Sequence, residues 1–416
     1  MSRIIPQERQ MRRTMMCLLA SVPIAASAQS SALAVRQIPI RTIDVLGTAT
    51  EPLGPQASVR ALADGSMLVN DVARRRVLLF NAALSHFAVV LDSATNSASA
   101  QSSAQLIPYG ADSTLFVDMS TQALLVLGPN GKVARVMALP KPRDARFIAG
   151  SVLGDAHVDA RGGLIYRALY PPTMKPSNSD SVVTFPSQPD SVPILRADFE
   201  TRTIDTIAAI KVPQSEAMTQ TRDGMGNVTM RIVLNPMSTG DEWAMLTDGT
   251  IAIVRAHDYH IDWIDTDRTR RSTPKMPFDL RAISQEEKQS RLDSLRVVLQ
   301  KQLDAAPART IETPDGRRQL RTQFDFVPLR DLSDYEPPIG PGSAKADLSN
   351  HLWVLPHTSA SASNGLLYDV INKRGEIEYR VQLPSGFALV GFGTGNDVFL
   401  LQVTGKTGKL ARARVH

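Results

Sequence analysis

A strand-turn-strand unit of two hairpins recurs along this chain, and self-similarity at that spacing restricts the possible folds more than any single motif. In the first copy, Val59 to Asp71 reads as a strand, a tight Asp64-Gly65 turn and a second strand. Arg76 to Asn81 and Phe87 to Leu91 supply two more, giving a four-stranded antiparallel meander. The order returns over residues 105–139, 154–210, 241–276 and 345–383. A final copy, over Val390-Gly391-Phe392, Val398 to Leu401 and Leu410 to Val415, has only three strands before the chain stops.

A candidate for the missing fourth strand stands far away in sequence. Val35 to Leu46 alternates at period two and has no partner of its own. Pairing it with the last copy removes both free sheet edges. The expected fold is therefore all-β: a six-bladed β-propeller of four-stranded antiparallel blades over residues 35–416, closed by its own N-terminal strand, with one helical insertion. The 25 Gly and 27 Pro among 416 residues argue against a helical bundle, and a 43% hydrophobic content suffices for a packed core. Trp243, Trp263 and Trp353 fall at strand positions and are expected in the core between blades.

Val69-Asn70-Asp71 followed by Arg75-Arg76-Val77-Leu78-Leu79-Phe80-Asn81 is similar to the NHL-repeat pattern, in which a strand ending in Asp precedes a Phe-Asp strand. The chain resembles, over residues 35–416, the large group of exported bacterial six-bladed β-propellers. That resemblance implies the fold. The group includes binding scaffolds, lyases, lactonases and signalling sensors, so it leaves the activity open.

Residues 1–28 read as a signal peptide, with Arg3, Arg9, Arg12 and Arg13 ahead of an apolar run from Met15 to Ala26 and a small-x-small Ala26-Ser27-Ala28 site. The expected location is periplasmic or extracellular. The run is too short to span a bilayer and no later stretch is long enough, so no membrane span is expected. Losing four Arg and Glu8 takes the formal charge from +5 to +2, which leaves no basic patch for nucleic acid. Cys17, the one cysteine, departs with the leader, so no disulfide contributes.

With strands lettered A to D outward in each blade, all the A–B turns are short. Long additions occur in the D–A crossovers at 92–104, 212–240 and 280–344 and in the B–C loops at 168–190 and 356–364, which share one rim. In 280–344, Ser284 and Glu287 form a capping box, and Leu292, Leu295, Leu299 and Leu303 follow at helical spacing until Ala305-Ala306-Pro307. That apolar stripe covers the rim, caps the channel or meets a second copy. Residues 307–344, rich in Pro, Arg and Asp, are expected as an irregular strap.

Catalytic signatures are absent: there is no HExxH and no Gly-x-Ser-x-Gly, and Gly405-Lys406-Thr407 lacks the first glycine and the helix of a P-loop. Related lactonases hold a divalent cation in the channel with carboxylates and Asn. This chain offers Asn70, Asp71, Asp118 and Asp155 at strand ends, but Arg167 and Arg255 occupy equivalent ends, which opposes a metal and favours an anion. The preferred site pairs a ligand carboxylate or phosphate with Arg167 and Arg255, the alternative being surface salt bridges from these arginines to Asp118 or Asp258; Asn70, Asp71 and Asp118 stand beside them in the candidate set. His257, Tyr259, His260 and His357 from neighbouring B–C loops complete the candidate set, the histidines either converging there or standing solvated on their loops, and His157 beside Asp159 on an inner strand either faces the channel or is satisfied within strand packing. No metal and no cofactor are expected. The leading functional reading is a monomeric exported scaffold whose decorated face binds a small molecule or protein. The alternative is a lyase or lactonase/hydrolase acting at the channel mouth.

Overall fold

The computed structural model describes residues 38–92, 105–110, 112–150, 154–169, 182–185, 189–213, 215–305, 309–313, 316–360 and 364–416. Residues 1–28, read above as a signal peptide, residues 35–37, residues 93–104, most of the 168–190 loop and residues 306–308 and 361–363 lie outside them.

Among the described residues, six sheets each contain four antiparallel strands, as in a β-propeller: in chain order they span 57–92, 107–138, 157–211, 242–272 and 339–382, and the last joins 387–415 to the N-terminal strand Ile43–Thr48. The first is Ala57–Ala61, Met67–Asp71, Arg76–Phe80 and Phe87–Asp92. Its second strand is buried at all five positions, because a strand flanked by a packed sheet on each face has no solvent side. Turns follow the local chemistry. Gly65 takes φ 83°, and Ser66 donates its N–H to Asp64 Oδ1 at 2.9 Å.

The core is divided between successive sheets. Leu68 and Val77 of the first sheet pack with Phe116 and Leu127 of the second, and Val117 and Val126 of the second with Leu164 and Tyr166 of the third. Trp243 joins the third to the fourth, Trp263 the fourth to the fifth, and Trp353 the fifth to the sixth. A further cluster unites Phe399 and Leu401 of the last sheet with Val69 and Phe80 of the first.

The N-terminal segment divides where one continuous strand was expected. Ile40–Arg41 adds a parallel fifth strand to the fifth sheet, against Arg380 and Val381. Ile43–Thr48 then crosses to Thr407–Val415, pairing antiparallel from Ile43↔Val415 to Thr48↔Ala411. Thr42 marks the crossing, and its carbonyl accepts the N–H of His416 at 3.1 Å.

The irregular strap expected over 307–344 is instead largely strand. Arg309–Thr313 and Gly316–Phe326 form a hairpin. Gly316–Phe326 then runs parallel to Val228–Leu234, which pairs with Ser215–Arg222, and Val182–Phe185 completes a five-stranded sheet. Three insertions distant in sequence therefore make one added layer. Its period-two pattern was obscured by arginines on the exposed face, where Arg231 pairs with Asp325. The helix Gln285–Ala305 starts where expected, with Glu287 N–H donating to Ser284 Oγ at 3.2 Å. The Glu287 carboxylate turns to Arg281 and Arg291.

Candidate functional site

Buried charge gathers where the third, fourth and fifth sheets meet. Glu242 opens the strand Glu242–Met245 and is fully buried. Its Oε2 accepts the backbone N–H of Gly342 at 3.0 Å, while Oε1 is buried without a hydrogen-bond partner among the described residues. Gly342 holds φ 73°, which favours glycine and turns its N–H toward the neighbouring sheet's carboxyl. Next along that strand, Ser343 Oγ is also buried and unpartnered. Burial, with Asp155 adding repulsion, pushes the Glu242 carboxyl up to about 8; the Gly342 hydrogen bond, Lys345 and Arg167 pull only partly the other way.

Arg167 ends the strand Leu164–Arg167 and is 7% exposed. Burial lowers its pKa, against the attraction of Glu242. His157 opens the short strand His157–Val158, and burial lowers its pKa despite Asp155 nearby, favouring neutral imidazole. Its ring meets Trp243 edge to face at 5.8 Å. Gly154 makes room for this packing: a Cβ there would lie 2.1 Å from Trp243 Nε1. The arrangement supplies a carboxyl poised to exchange a proton near neutral pH, a neutral imidazole and a poorly solvated guanidinium.

A second cluster lines a cavity of about 110 Å³ on the inserted side, between Pro236–Gly240, Arg291, Glu336, Pro337, Ile339–Pro341 and His357. Glu336 is 4% exposed. Its Oε1 accepts from Arg281 Nη1 at 2.8 Å and from Arg291 Nη2, and its Oε2 lies 3.4 Å from His357 Nε2. Burial opposes ionisation of Glu336, but Arg291, His357 and Arg281 together hold its pKa below the usual value. Gly240 and Gly340 at the cavity wall each stand two residues before the Glu242–Gly342 pair.

The sequence-derived candidates scatter around these features. Arg167 enters the Glu242 cluster and His357 the Glu336 cavity. Arg255 is engaged elsewhere, with Nη1 on Asp241 at 2.6 Å and Nε on Asp262 at 2.7 Å. Asp71 accepts from Gly54 N–H at 2.8 Å and Arg76 Nε at 3.0 Å, beside buried Asn70. Asp118 closes a turn, accepting from Ser120 Oγ and Thr121 Oγ1, both at 2.7 Å. Tyr259 is wholly buried and donates to Asp369 Oδ2 at 3.1 Å. His260 sits between Asp258 and Asp262, and His257 is exposed. Among the described residues, no group of three or more His, Cys, Asp or Glu is arranged to hold a metal, and no helix is long and apolar enough to cross a membrane.

Glu242 and Glu336 were not singled out in the sequence. The available signal was a carboxylate opening the otherwise apolar Glu242-Trp-Ala-Met strand.

No protein-family model and no characterised protein matches the chain by sequence. Among solved structures, it is similar to virginiamycin B lyase from Staphylococcus aureus, with 11% identity and a TM-score of 0.37 over 89% of this chain and 98% of that one. A gluconolactonase from Xanthomonas campestris shares 10% identity at a TM-score of 0.39, covering 92% and 99% respectively. A luciferin-regenerating enzyme also shares 10% identity at 0.39, covering 90% and 95%. These similar structures are propeller enzymes, but likeness at this level says nothing about which residues of this chain act.

Proposed function

We propose that this chain is an exported enzyme carrying out acid–base chemistry on a small anionic substrate, of lyase or lactonase/hydrolase type, at the mouth of a six-bladed propeller closed by its N-terminal strand. The observation carrying this reading is Glu242: a fully buried carboxyl, pushed up to about 8, with one oxygen unpartnered. A structural carboxylate is ordinarily paired and ionised; one held largely protonated at neutral pH is matched to proton transfer. In this reading Glu242 delivers a proton to a departing oxygen, neutral His157 is the complementary base, and Arg167 meets a carboxylate, phosphate or developing oxyanion. Six blades are supported by six sheets that each contain four antiparallel strands, and closure by the cluster uniting the last sheet with the first. Export rests on the apolar leader ahead of Ala26-Ser27-Ala28.

The experiment is an assay of the purified mature chain against a panel of lactones and of carboxylates bearing an eliminable β-substituent, beside Glu242→Gln. Turnover is expected to fall by about 10²-fold or more in the variant. Undiminished turnover, or no turnover across the panel, removes the proposal.

A binding scaffold is the second reading, favoured by three insertions that combine into one sheet under one helix. Such a layer exceeds what simple loop connection requires.

A further inference from the structure

Pro337, Pro338, Ile339, Gly340 and Pro341 are all that separates Glu336 from Gly342, the donor to Glu242. The three prolines have φ fixed by their rings, so the link is short and stiff. Strand pairing does not place its far end. Ile339 pairs with Pro356, and the register resumes only at Ala344↔Val354, so Gly340 to Ser343 bulge out of the ladder. Gly340 and Pro341 also border the cavity of about 110 Å³, which leaves that side of the bulge without packed support.

The start of the bulge is set by what surrounds Glu336. Its N–H donates to the Arg281 carbonyl at 2.9 Å, and its carboxylate is shared between Arg281 and Arg291. Glu287 accepts from the same two arginines, at 2.8 and 2.7 Å, closing a ring of two guanidiniums and two carboxylates. Lys288, 1% exposed, ties this turn of the helix Gln285–Ala305 to the Leu332 carbonyl at 3.1 Å and to Asp334 Oδ1 at 2.6 Å. On the other strand, His357 Nε2 lies 3.4 Å from Glu336 Oε2, and the His357 N–H donates to the Pro338 carbonyl at 2.8 Å. One buried carboxylate thus gathers the helix and both strands where the bulge begins.

We propose that Glu336, gripped by Arg281 and Arg291, is a positioning residue for Glu242: through the proline-rich link it holds Gly342 where its N–H meets Glu242 Oε2. The inference deepens, and rests on, the reading of Glu242 as the acid. The charges acting directly on Glu242 are those of Asp155, Lys345 and Arg167, and none of them is on the inserted helix. The helix therefore acts on Glu242 through the backbone.

The Gly342 hydrogen bond favours the charged form of Glu242, so losing it strengthens the hold on the proton. The test is a pH titration of the mature chain labelled with ¹³C at its glutamate carboxyls, the Glu242 signal being the one missing from Glu242→Gln. The parent midpoint is expected near 8. Glu336→Gln and Arg291→Met should each move it upward, making the acid about three- to tenfold weaker. The shared direction is diagnostic: one substitution removes a negative charge and the other a positive one, so a direct field would move the midpoint in opposite directions. Arg291→Lys should restore most of the parent value. Arg296→Met, on the same helix but paired with Asp293, should leave it in place. Melting curves establish that each variant is folded. Opposite or downward shifts, or an unmoved midpoint in folded Glu336→Gln and Arg291→Met, would overturn this proposal alone. A parent midpoint near the ordinary 4.5 would overturn it together with the reading of Glu242. The measurement needs no substrate, so its outcome is separate from that of the turnover panel.

Discussion

Glu242 reaches across to the next sheet and accepts the Gly342 N–H through one oxygen, while its other oxygen is buried without a hydrogen-bond partner among the described residues. Two residues one hundred positions apart thus create a site that neither strand carries alone. The single hydrogen bond offsets only part of the desolvation.

The sign of the stability effect follows. A carboxyl raised from 4.5 to about 8 contributes its full stability below 4.5, and that contribution is lost as pH rises through 8. Glu242→Gln stays neutral throughout. Its advantage over the natural chain should therefore grow from pH 4.5 to 8.5, on the order of 4 kcal/mol at the top of the range. Urea midpoints at the two pH values measure this, and an equal gap at both would show that Glu242 titrates normally. Stability gained together with activity lost is the signature expected of a functional buried carboxyl.

Arg255 provides the contrast. It ties Asp241 to Asp262, and Asp241 also accepts the Lys211 N–H at 2.9 Å. Arg255→Ala should destabilise the fold by about 1–3 kcal/mol by leaving a buried carboxylate short of a partner. The pH dependence of any turnover should not move. A shifted profile at unchanged stability would place Arg255 in the chemistry.

Gly154 combines φ 95° with a Cβ position inside the Trp243 ring contact. Gly154→Ala should cost about 2–4 kcal/mol, from backbone strain and from displacing the indole. Tryptophan emission should shift with it. An unaltered spectrum and melting point would mean that the His157–Trp243 packing yields easily.

Deleting residues 38–48 removes both the parallel strand beside Arg380 and the strand beside Thr407–Val415. The truncated chain should lose its cooperative melt or melt at least about 10 °C lower, since an exposed sheet edge and unpaired backbone groups remain. A melt within 2 °C of the parent, as an order-of-magnitude resolution of the assay, would show that the segment is not a latch.

Strand-by-strand meanders were legible because each pairing lies within a few residues, with turns written as Asp-Gly or Asn-Gly and buried strands as apolar runs. Arg167 and His357 were recognised as charged or titratable residues at a strand end and a loop, positions where such groups often meet a site. Arg255, by the same signal, belongs to an ion-pair network, because its partners were invisible from its own neighbourhood.

What the amino-acid order settled by itself is local: hydrogen bonding between adjacent strands, the capped start of the helix, and the apolar faces that sheets must bury. Only the tertiary structure decided which distant pieces meet. It joined three insertions through pairings such as Val228↔Leu320. It divided the N-terminal segment between two sheets at Thr42, and it enclosed Glu242 against Gly342. A carboxylate's protonation depends on the water and charges around it, and those are set by packing between strands whose separation in sequence leaves no local trace.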